Sequence, residues 1–460
     1  MSKQKVFAVF DIGKTNKKLL LFDEHYRLLQ EESARFEETR DEDGFPAENL
    51  TRLEDWIQEG FRRLLLHKKY LVEALNISAY GASFVHVSGS GMPLTPLYNY
   101  LKPYPQKWRD RFYEQYGGEE LVSRETASPA LGSLNSGLQM YRLKYEQPDI
   151  FNRIQYSLHL PQYLSFYLSG RPAAELTSIG CHTLLWDFNQ HRYHDWVIAE
   201  GLEKKFPAIL PPDTMQTIAS GGQKIKVGIG LHDSSAALIP YLKSFSEPFV
   251  LISTGTWSIS LNPFNDSPLT GEDLRHDCLC YLTPGGRPVK AARLFAGREH
   301  EEQTKRLAAH FSVQENKYNS IRFDPMLFDR LQHNTENSSP GKEGNGLRSS
   351  AFAGRSLDEF STYQEAYHQL MFDIVAQQFC STSRVLSGTR VRKIFVDGGF
   401  GKNELYMNML ARYFPDLQIY AADVAQASAL GAALLLNGSG VEKKQGLDGS
   451  LVTCKAFRAE

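Results

Sequence analysis

The stretch Val6-Phe7-Ala8-Val9-Phe10-Asp11-Ile12-Gly13-Lys14-Thr15-Asn16-Lys17-Lys18-Leu19-Leu20-Leu21-Phe22 decides the fold class. Val6 to Asp11 is a short apolar run rich in β-branched and aromatic residues, Ile12 to Lys17 is a polar turn, and Lys18 to Phe22 is apolar again. Two strand-like runs around a glycine-containing turn predict a β-hairpin. Gly13-Lys14-Thr15 also matches the end of a G-x-x-x-x-G-K-[ST] phosphate loop. The first glycine of that motif is replaced by Ala8, however. A strand is also expected where such a loop needs a helix N-terminus to hold phosphate. A hairpin tip with free backbone N–H groups can still cradle phosphate as an anion nest. Asp11 at its mouth can hold Mg²⁺ through waters, and Lys18 can offset phosphate charge. The competing reading is an ordinary hairpin with a charged tip.

Working outward, the same pattern returns: an apolar strand followed by a turn of Gly with Asp or Thr, at 6–15, 249–256 and 394–399. Between these turns lie helical patterns at 51–74, within 147–169 (Pro161 near a helix start), from Ser235, at 357–385, at 403–413 and at 428–436, with strands at 393–396 and 419–421. Residues 95–118 read as irregular, and 333–348 as a polar loop. Alternating strands and helices in both halves predict an α/β protein. Pro240 and Ser246-Glu247-Pro248 interrupt the pattern, so two domains are expected, 1–244 and 245–460.

The chain has 460 residues, with 51 Lys plus Arg against 53 Asp plus Glu, a formal charge of −2. That balance excludes the basic stripe of a general nucleic-acid binder. No run reaches the length of a membrane span. Five scattered cysteines (Cys181, Cys278, Cys280, Cys380, Cys454) do not make a disulfide framework. A cytoplasmic protein is expected, with no nucleic-acid or membrane partner, as a monomer or homodimer.

Four further segments can carry chemistry. In Gly230-Leu231-His232-Asp233-Ser234-Ser235, Asp233 is either a helix N-cap or a general base that accepts the proton of an alcohol as it attacks. Thr254-Gly255-Thr256 is either a plain turn or a second phosphate loop. Asp397-Gly398-Gly399-Phe400-Gly401-Lys402-Asn403 has glycines that allow a flat ligand such as adenine to approach closely, with Asn403 as a cap or a base contact. It lacks G-x-G-x-x-G, so no dinucleotide fingerprint is present. His276, Cys278 and Cys280 have the wrong spacing for zinc. Trp108 with Tyr98, Tyr100, Tyr104 and Phe112 suits stacking of bases or sugars, or core packing.

Taken together, Asp-x-Gly-x-Thr in an N-terminal hairpin, Gly-x-His-Asp at mid-chain, Thr-Gly-Thr just after it and Asp-Gly-Gly before the last helices resemble the FGGY carbohydrate kinases, over Phe7 to Leu436. The resemblance implies two ribonuclease-H-like domains of the actin, Hsp70 and sugar-kinase superfamily around a central cleft, with ATP, Mg²⁺ and a small-molecule sugar. Carried over, Asp11 positions Mg²⁺ with Asp233, which is also the catalytic base. Gly13, Lys14, Thr15, Asn16 and Lys18 form the first phosphate loop, and Thr254, Gly255 and Thr256 the second. Gly398, Gly399 and Asn403 flank adenosine. His232-Asp233-Ser234-Ser235-Ala236 and Ser253 to Ser258 look like the rhamnulokinase branch, with fuculokinases close by, which phosphorylate the 1-hydroxyl of a 6-deoxy-ketose. Tyr80-Gly81-Ala82-Ser83-Phe84 departs from the branch's Trp-Gly-x-Asp-Phe, so Ser83 stands where a sugar-binding carboxylate is expected. His86 is a candidate substitute, Tyr80 and His232 complete the expected sugar contacts, and a pentulose or polyol is the alternative substrate. A non-catalytic actin-like nucleotide-binding sugar sensor is the remaining alternative.

Overall fold

The computed structural model describes residues 3–336, 350–424, 426–437 and 451–458. The chain forms two compact units, both discontinuous in sequence. One comprises Met1–Ser246, Cys280–Pro288 and Ala425–Leu451, the other Glu247–Leu279, Val289–Val424 and Val452–Glu460. The first crossing thus falls between Ser246 and Glu247, and residues 280–288 and 426–437 pack with the first unit rather than the second.

The first sheet runs Met215–Ser220, Gln223–Gly228, Tyr70–Ala79, Gln4–Ile12, Lys17–Phe22, Leu28–Ala34. The hairpin is present as expected: Asp11 pairs with Lys18 across it, and Gly13 N–H closes its turn on the Asn16 carbonyl at 2.9 Å. The turn leads into a strand and not a helix, so the P-loop reading fails on geometry. Gln4–Ile12 is also parallel to Tyr70–Ala79, with Asp11 beside Ser78. Leu231–His232 is parallel to the same strand, with His232 beside Ala79. Three strand ends therefore stop at one edge of the sheet, where open α/β sheets bind ligands.

The helical pattern read over 51–74 divides. Helix Leu50–Leu65 is capped by Asn49, whose side chain accepts from Arg52 N–H, and it buries Leu53, Trp56, Ile57, Phe61 and Leu64. Trp56 meets Phe10 edge to face at 5.4 Å. Each such buried side chain contributes roughly 1.5–3 kcal/mol. Residues 70–79 are a strand; buried on both faces, it shows no period-two alternation to mark it. Segment 147–169 likewise divides into helix Pro148–Arg153, strand Tyr156–His159 and helix Leu160–Ser169 with Pro161 in its first turn.

Helix Gln106–Gln115 occupies the stretch expected to be irregular. Its Trp108 stacks on Tyr145 at 5.6 Å, and Phe112 is fully buried against Tyr141 and Trp196. Phe112 is core, and Trp108 packs half-buried against that core. Helix Asp233–Ser244 runs straight through Pro240, which therefore does not interrupt the pattern as expected. Helix Ala427–Leu434 packs on it so closely that a Cβ on Gly431 would sit 1.9 Å from the Ala236 carbonyl oxygen.

In the second unit the sheet order from Pro288–Leu294 is Ser258–Asn262, Phe249–Thr254, Lys393–Gly398, Gln418–Asp423, Thr453–Phe457. Strand for strand, it repeats the parallel and antiparallel pairings of the first sheet. The long helix starts at Tyr363, capped by Thr362, and ends at Leu386. Helix Pro325–Glu336 takes the first residues of the expected polar loop, and the remainder of that loop lies outside the described residues. Among the described residues, no helix is long and apolar enough to cross a membrane, and no three His, Cys, Asp or Glu side chains cluster as for a metal.

Candidate active site

Asp233 is the first residue of its helix, directly after the strand end at His232. Its Oδ1 accepts from Ser234 N–H at 2.6 Å and Ser234 Oγ at 3.2 Å. His232 Nε2 lies 3.3 Å from the same oxygen. Burial pushes the His232 ring down to about 3, so it is neutral. The Asp233 side chain is nonetheless 31% exposed, and no hydrogen bond from the described residues occupies Oδ2. The residue is therefore not consumed by capping; one oxygen is anchored and the other is open. Burial raises its pKa to about 6.

Asp11, on the far side of strand Tyr70–Ala79, is raised to about 6 as well, first by burial and second by the charge of Asp233. Its Oδ2 accepts from Ser428 Oγ at 3.0 Å. A buried carboxylate whose proton affinity is raised by a second carboxylate nearby suits a divalent cation, and Mg²⁺ keeps most of its waters, so two protein oxygens suffice.

The tip residues Gly13, Lys14, Thr15 and Asn16 are partly or fully exposed. Lys14 Nζ pairs with Glu38 at 2.9 Å and Glu48 at 3.7 Å, and Lys18 Nζ with Glu31 at 2.9 Å. Asn16 Oδ1 accepts from Arg35 Nε at 2.6 Å. Partly exposed pairs of this kind contribute little, about 0–1 kcal/mol, so an incoming phosphate can compete for the lysines. Lys17 differs: it is buried and tied to Glu48 at 2.8 Å and to the Lys14 carbonyl at 2.9 Å.

Tyr80 lies buried at the next strand end, its hydroxyl 3.4 Å from Glu48 Oε2, with Tyr100 edge-on at 5.9 Å. Tyr100 is near enough to Asp233 for that charge to help hold its hydroxyl up at about 12, after burial itself. A Cβ on Gly81 would lie 2.7 Å from Cys181 Sγ and 3.1 Å from the His232 ring, so a side chain there would displace Cys181 or His232. Ser83 is buried, and no hydrogen bond of ordinary geometry satisfies its hydroxyl. His86, expected as its substitute, is instead a core residue. It is 1% exposed and bonded to Ser157 Oγ at 2.9 Å, and burial alone pushes it down to about 4. The strand Phe84–Val87 that carries it pairs with Tyr156–His159, which turns His86 into that core.

In the second unit, Thr254 and Gly398 are register partners at two parallel strand ends. The Thr254 hydroxyl donates to the Asp397 carbonyl at 2.5 Å and accepts from Phe400 N–H at 3.1 Å. It therefore joins the two turns rather than standing free for a phosphate, and Gly255 and Thr256 are the exposed residues of the loop. Gly398, at φ 84°, brings its Cα so near the Thr254 carbonyl that a Cβ would lie 1.9 Å from the oxygen. Gly255, Gly399 and Asn403 line a cavity of about 310 Å³ with His300, Tyr318 and Phe400. Asn403 caps its helix through Oδ1 and donates from Nδ2 to the Tyr367 hydroxyl at 2.9 Å. His300 and Tyr367, bonded to each other at 3.1 Å, stand in no motif that the sequence displays. The same holds for Ser428, Glu48 and Thr177, whose contact to the His232 amide arises only once the fold is formed.

Comparison with known proteins places the chain in a family. The model of the FGGY family of carbohydrate kinases, N-terminal domain, matches residues 6–239. The model of the carbohydrate kinase FGGY C-terminal domain matches residues 246–333. A rhamnulokinase of Halalkalibacterium halodurans is 26% identical over 259 residues, 54% of this chain and 52% of that protein. One of Oceanobacillus iheyensis is 25% identical over 194 residues, 40% of each chain. The chain thus spans about half the length, or less, of these curated relatives. Among solved structures, a carbohydrate kinase from Novosphingobium aromaticivorans has a TM-score of 0.80 at 21% identity, covering 99% of this chain and 95% of that one. A xylulose kinase from Lactobacillus acidophilus has a TM-score of 0.80 at 16% identity, covering 99% and 94%. A glycerol kinase from Plasmodium falciparum with ADP has a TM-score of 0.75 at 16% identity, covering 100% and 95%. At these identities the structural likeness concerns the fold, whereas the family models between them match most of the chain, which therefore belongs to the FGGY family of carbohydrate kinases.

Proposed function

We propose that this chain transfers the γ-phosphoryl group of ATP to a ketose hydroxyl, with the 1-hydroxyl of a 6-deoxy-ketose such as L-rhamnulose or L-fuculose as first choice. The observation that carries the reading is the open Oδ2 of Asp233 beside Asp11, in a chain of this family whose curated relatives include rhamnulokinases. Asp233 accepts the proton of the attacking hydroxyl on Oδ2, while Ser234 holds Oδ1 and keeps the carboxylate from swinging away. An alcohol is a poor nucleophile at neutral pH, and a base within reach contributes about 10²–10⁴-fold. Mg²⁺ held by Asp11 and Asp233 would neutralise charge on the phosphates. Lys14 and Lys18 exchange their carboxylate partners for phosphate oxygens, and in the second unit the exposed residues Gly255 and Thr256 are the phosphate contacts. The cavity edged by Gly399 and Asn403 takes adenosine. Phosphoryl transfer asks mainly for this positioning and charge compensation.

A pentulose is the second reading, favoured by Ser83, because a buried neutral hydroxyl stands where the deoxy-ketose branch carries a carboxylate. One experiment separates the readings: ADP release with Mg²⁺-ATP over L-rhamnulose, L-fuculose, D- and L-xylulose, D- and L-ribulose, D-fructose and glycerol. A deoxy-ketose standing well above the rest, with the signal lost in Asp233→Asn, supports the first reading. A pentulose maximum supports the second, and no sugar raising ADP release above its basal rate sinks both.

A further inference from the structure

Behind Asp233 lies a chain of contacts that the transfer chemistry does not itself require. Glu175 is fully buried. Its Oε2 accepts three hydrogen bonds: Thr177 N–H at 2.9 Å, Thr177 Oγ at 2.5 Å and Ser178 N–H at 3.3 Å. Its Oε1 is buried without a partner. Burying a carboxylate is costly, and Glu175 caps a helix of only four residues, Leu176–Ile179. Serine, threonine or aspartate caps helices at less expense, so capping alone does not account for it.

The hydroxyl of Thr177 supplies the reason. A hydroxyl has one proton to give and two lone pairs. Glu175 takes that proton, which leaves Thr177 Oγ only as an acceptor. It accepts the His232 backbone N–H at 3.0 Å. That amide belongs to the residue immediately before Asp233, and Thr177 is itself buried. The contact thus fixes the backbone N–H of the residue ahead of the base. On the other side of the base, Ser235 Oγ donates to the Leu282 carbonyl at 2.9 Å, which pins the next turn.

We propose that Glu175 and Thr177 are positioning residues that aim Asp233 at the sugar hydroxyl, with Glu175 fixing the polarity of the Thr177 hydroxyl. The inference rests on Asp233 being the base. A misplacement on the order of 1 Å in a reacting group can cost about 10²-fold in rate. Thr177→Val keeps the shape and removes the acceptor. It is expected to lower kcat about 10- to 30-fold while the KM values for ketose and ATP stay within about twofold, because neither ligand touches Thr177. Thr177→Ser is expected to restore kcat to within about threefold of wild type, since only the hydroxyl matters. Thr177→Val/Asp233→Asn is expected to be no slower than Asp233→Asn alone, because orientation is irrelevant once the base is gone.

An unchanged kcat in a folded Thr177→Val overturns the proposal, as does a loss of kcat that Thr177→Ser leaves unrepaired. Should Thr177→Val not fold, hydrogen exchange of the wild-type His232 amide decides: slow exchange supports the anchor, and exchange at the rate of exposed amides removes it. An active Asp233→Asn removes the base reading beneath the inference. Thr177→Val at the wild-type rate beside an inactive Asp233→Asn removes this inference alone.

Discussion

Asp11 and Asp233 each hold a proton to about pH 6, against an ordinary value of 3.8. The native state therefore binds protons more tightly than the unfolded chain between those values, and stability falls as pH rises through that window. Above pH 6 the full cost of the two charges is present; below pH 4 it is gone. In metal-free protein, Asp233→Asn keeps the oxygen that accepts from Ser234 and removes one charge. We expect it to raise the Tm by about 2–4 °C at pH 8, corresponding to roughly 1–2 kcal/mol for a carboxylate still partly open to water, and to leave it unchanged at pH 4. A Tm that does not rise at pH 8 would mean the charge is already compensated. Ser428→Ala removes the hydroxyl that donates to Asp11 Oδ2 and should cost about 1 kcal/mol. The Mg²⁺ concentration for half-maximal turnover should rise about two- to fivefold, read from an Mg²⁺ titration at saturating ATP. Of these residues the sequence exposes Asp11 and Asp233, through the glycine-rich turns around them. Ser428 is hidden in an Ala/Leu-rich helix, because a serine on such a face looks like packing. His86 looks like a substitute ligand only as long as its strand pairing is not legible.

The strands and helices that hold the site are mostly readable where they alternate with turns, and obscured where both faces are buried. Tyr70–Ala79 is the clearest case: as a central strand it lacks the period of two and blends into the preceding helix. Helices Asp233–Ser244 and Ala427–Leu434 approach each other so closely that a methyl at Gly431 would meet a backbone carbonyl, which has no rotamer to escape into. Gly431→Ala should therefore push the helices apart and cost about 1–3 kcal/mol, seen as a lowered Tm. Because Ser428 rides on the same helix, ketose-dependent turnover should fall further than the fraction of unfolded protein explains. Turnover in proportion to folded protein would show that the helix does not tune Asp11. In the second unit, Gly398→Ala meets the Thr254 carbonyl in the same way, and its φ of 84° is itself unfavourable for alanine. The expected result is a raised KM for ATP with the KM for ketose unchanged, measured by initial rates.

At the scale of the molecule, two units carry the same succession of strand pairings. In the first, the strand ends hold Asp11, Tyr80 and Asp233; in the second, Thr254 and Gly398. Ketose alone should therefore slow hydrogen exchange in 78–84 and 231–235, and a non-hydrolysable ATP analogue alone should slow it in 252–257 and 397–404. Protection of 397–404 by ketose alone and not by the nucleotide analogue would contradict the assignment of the two sites. By itself the sequence determined the α/β class, the N-terminal hairpin, the glycine-rich turns and the two carboxylates, because each depends on local preferences: strand periodicity, glycine where the backbone must turn, a charge at a strand end. Only the tertiary structure, through contacts distant in sequence, establishes which strand ends meet, that residues 280–288 and 426–437 return to the first unit, that the Thr254 hydroxyl is spent on a turn, and that Glu175 reaches the His232 amide through Thr177. Those outcomes depend on contacts between residues far apart in the chain, and no local pattern encodes a partner's position.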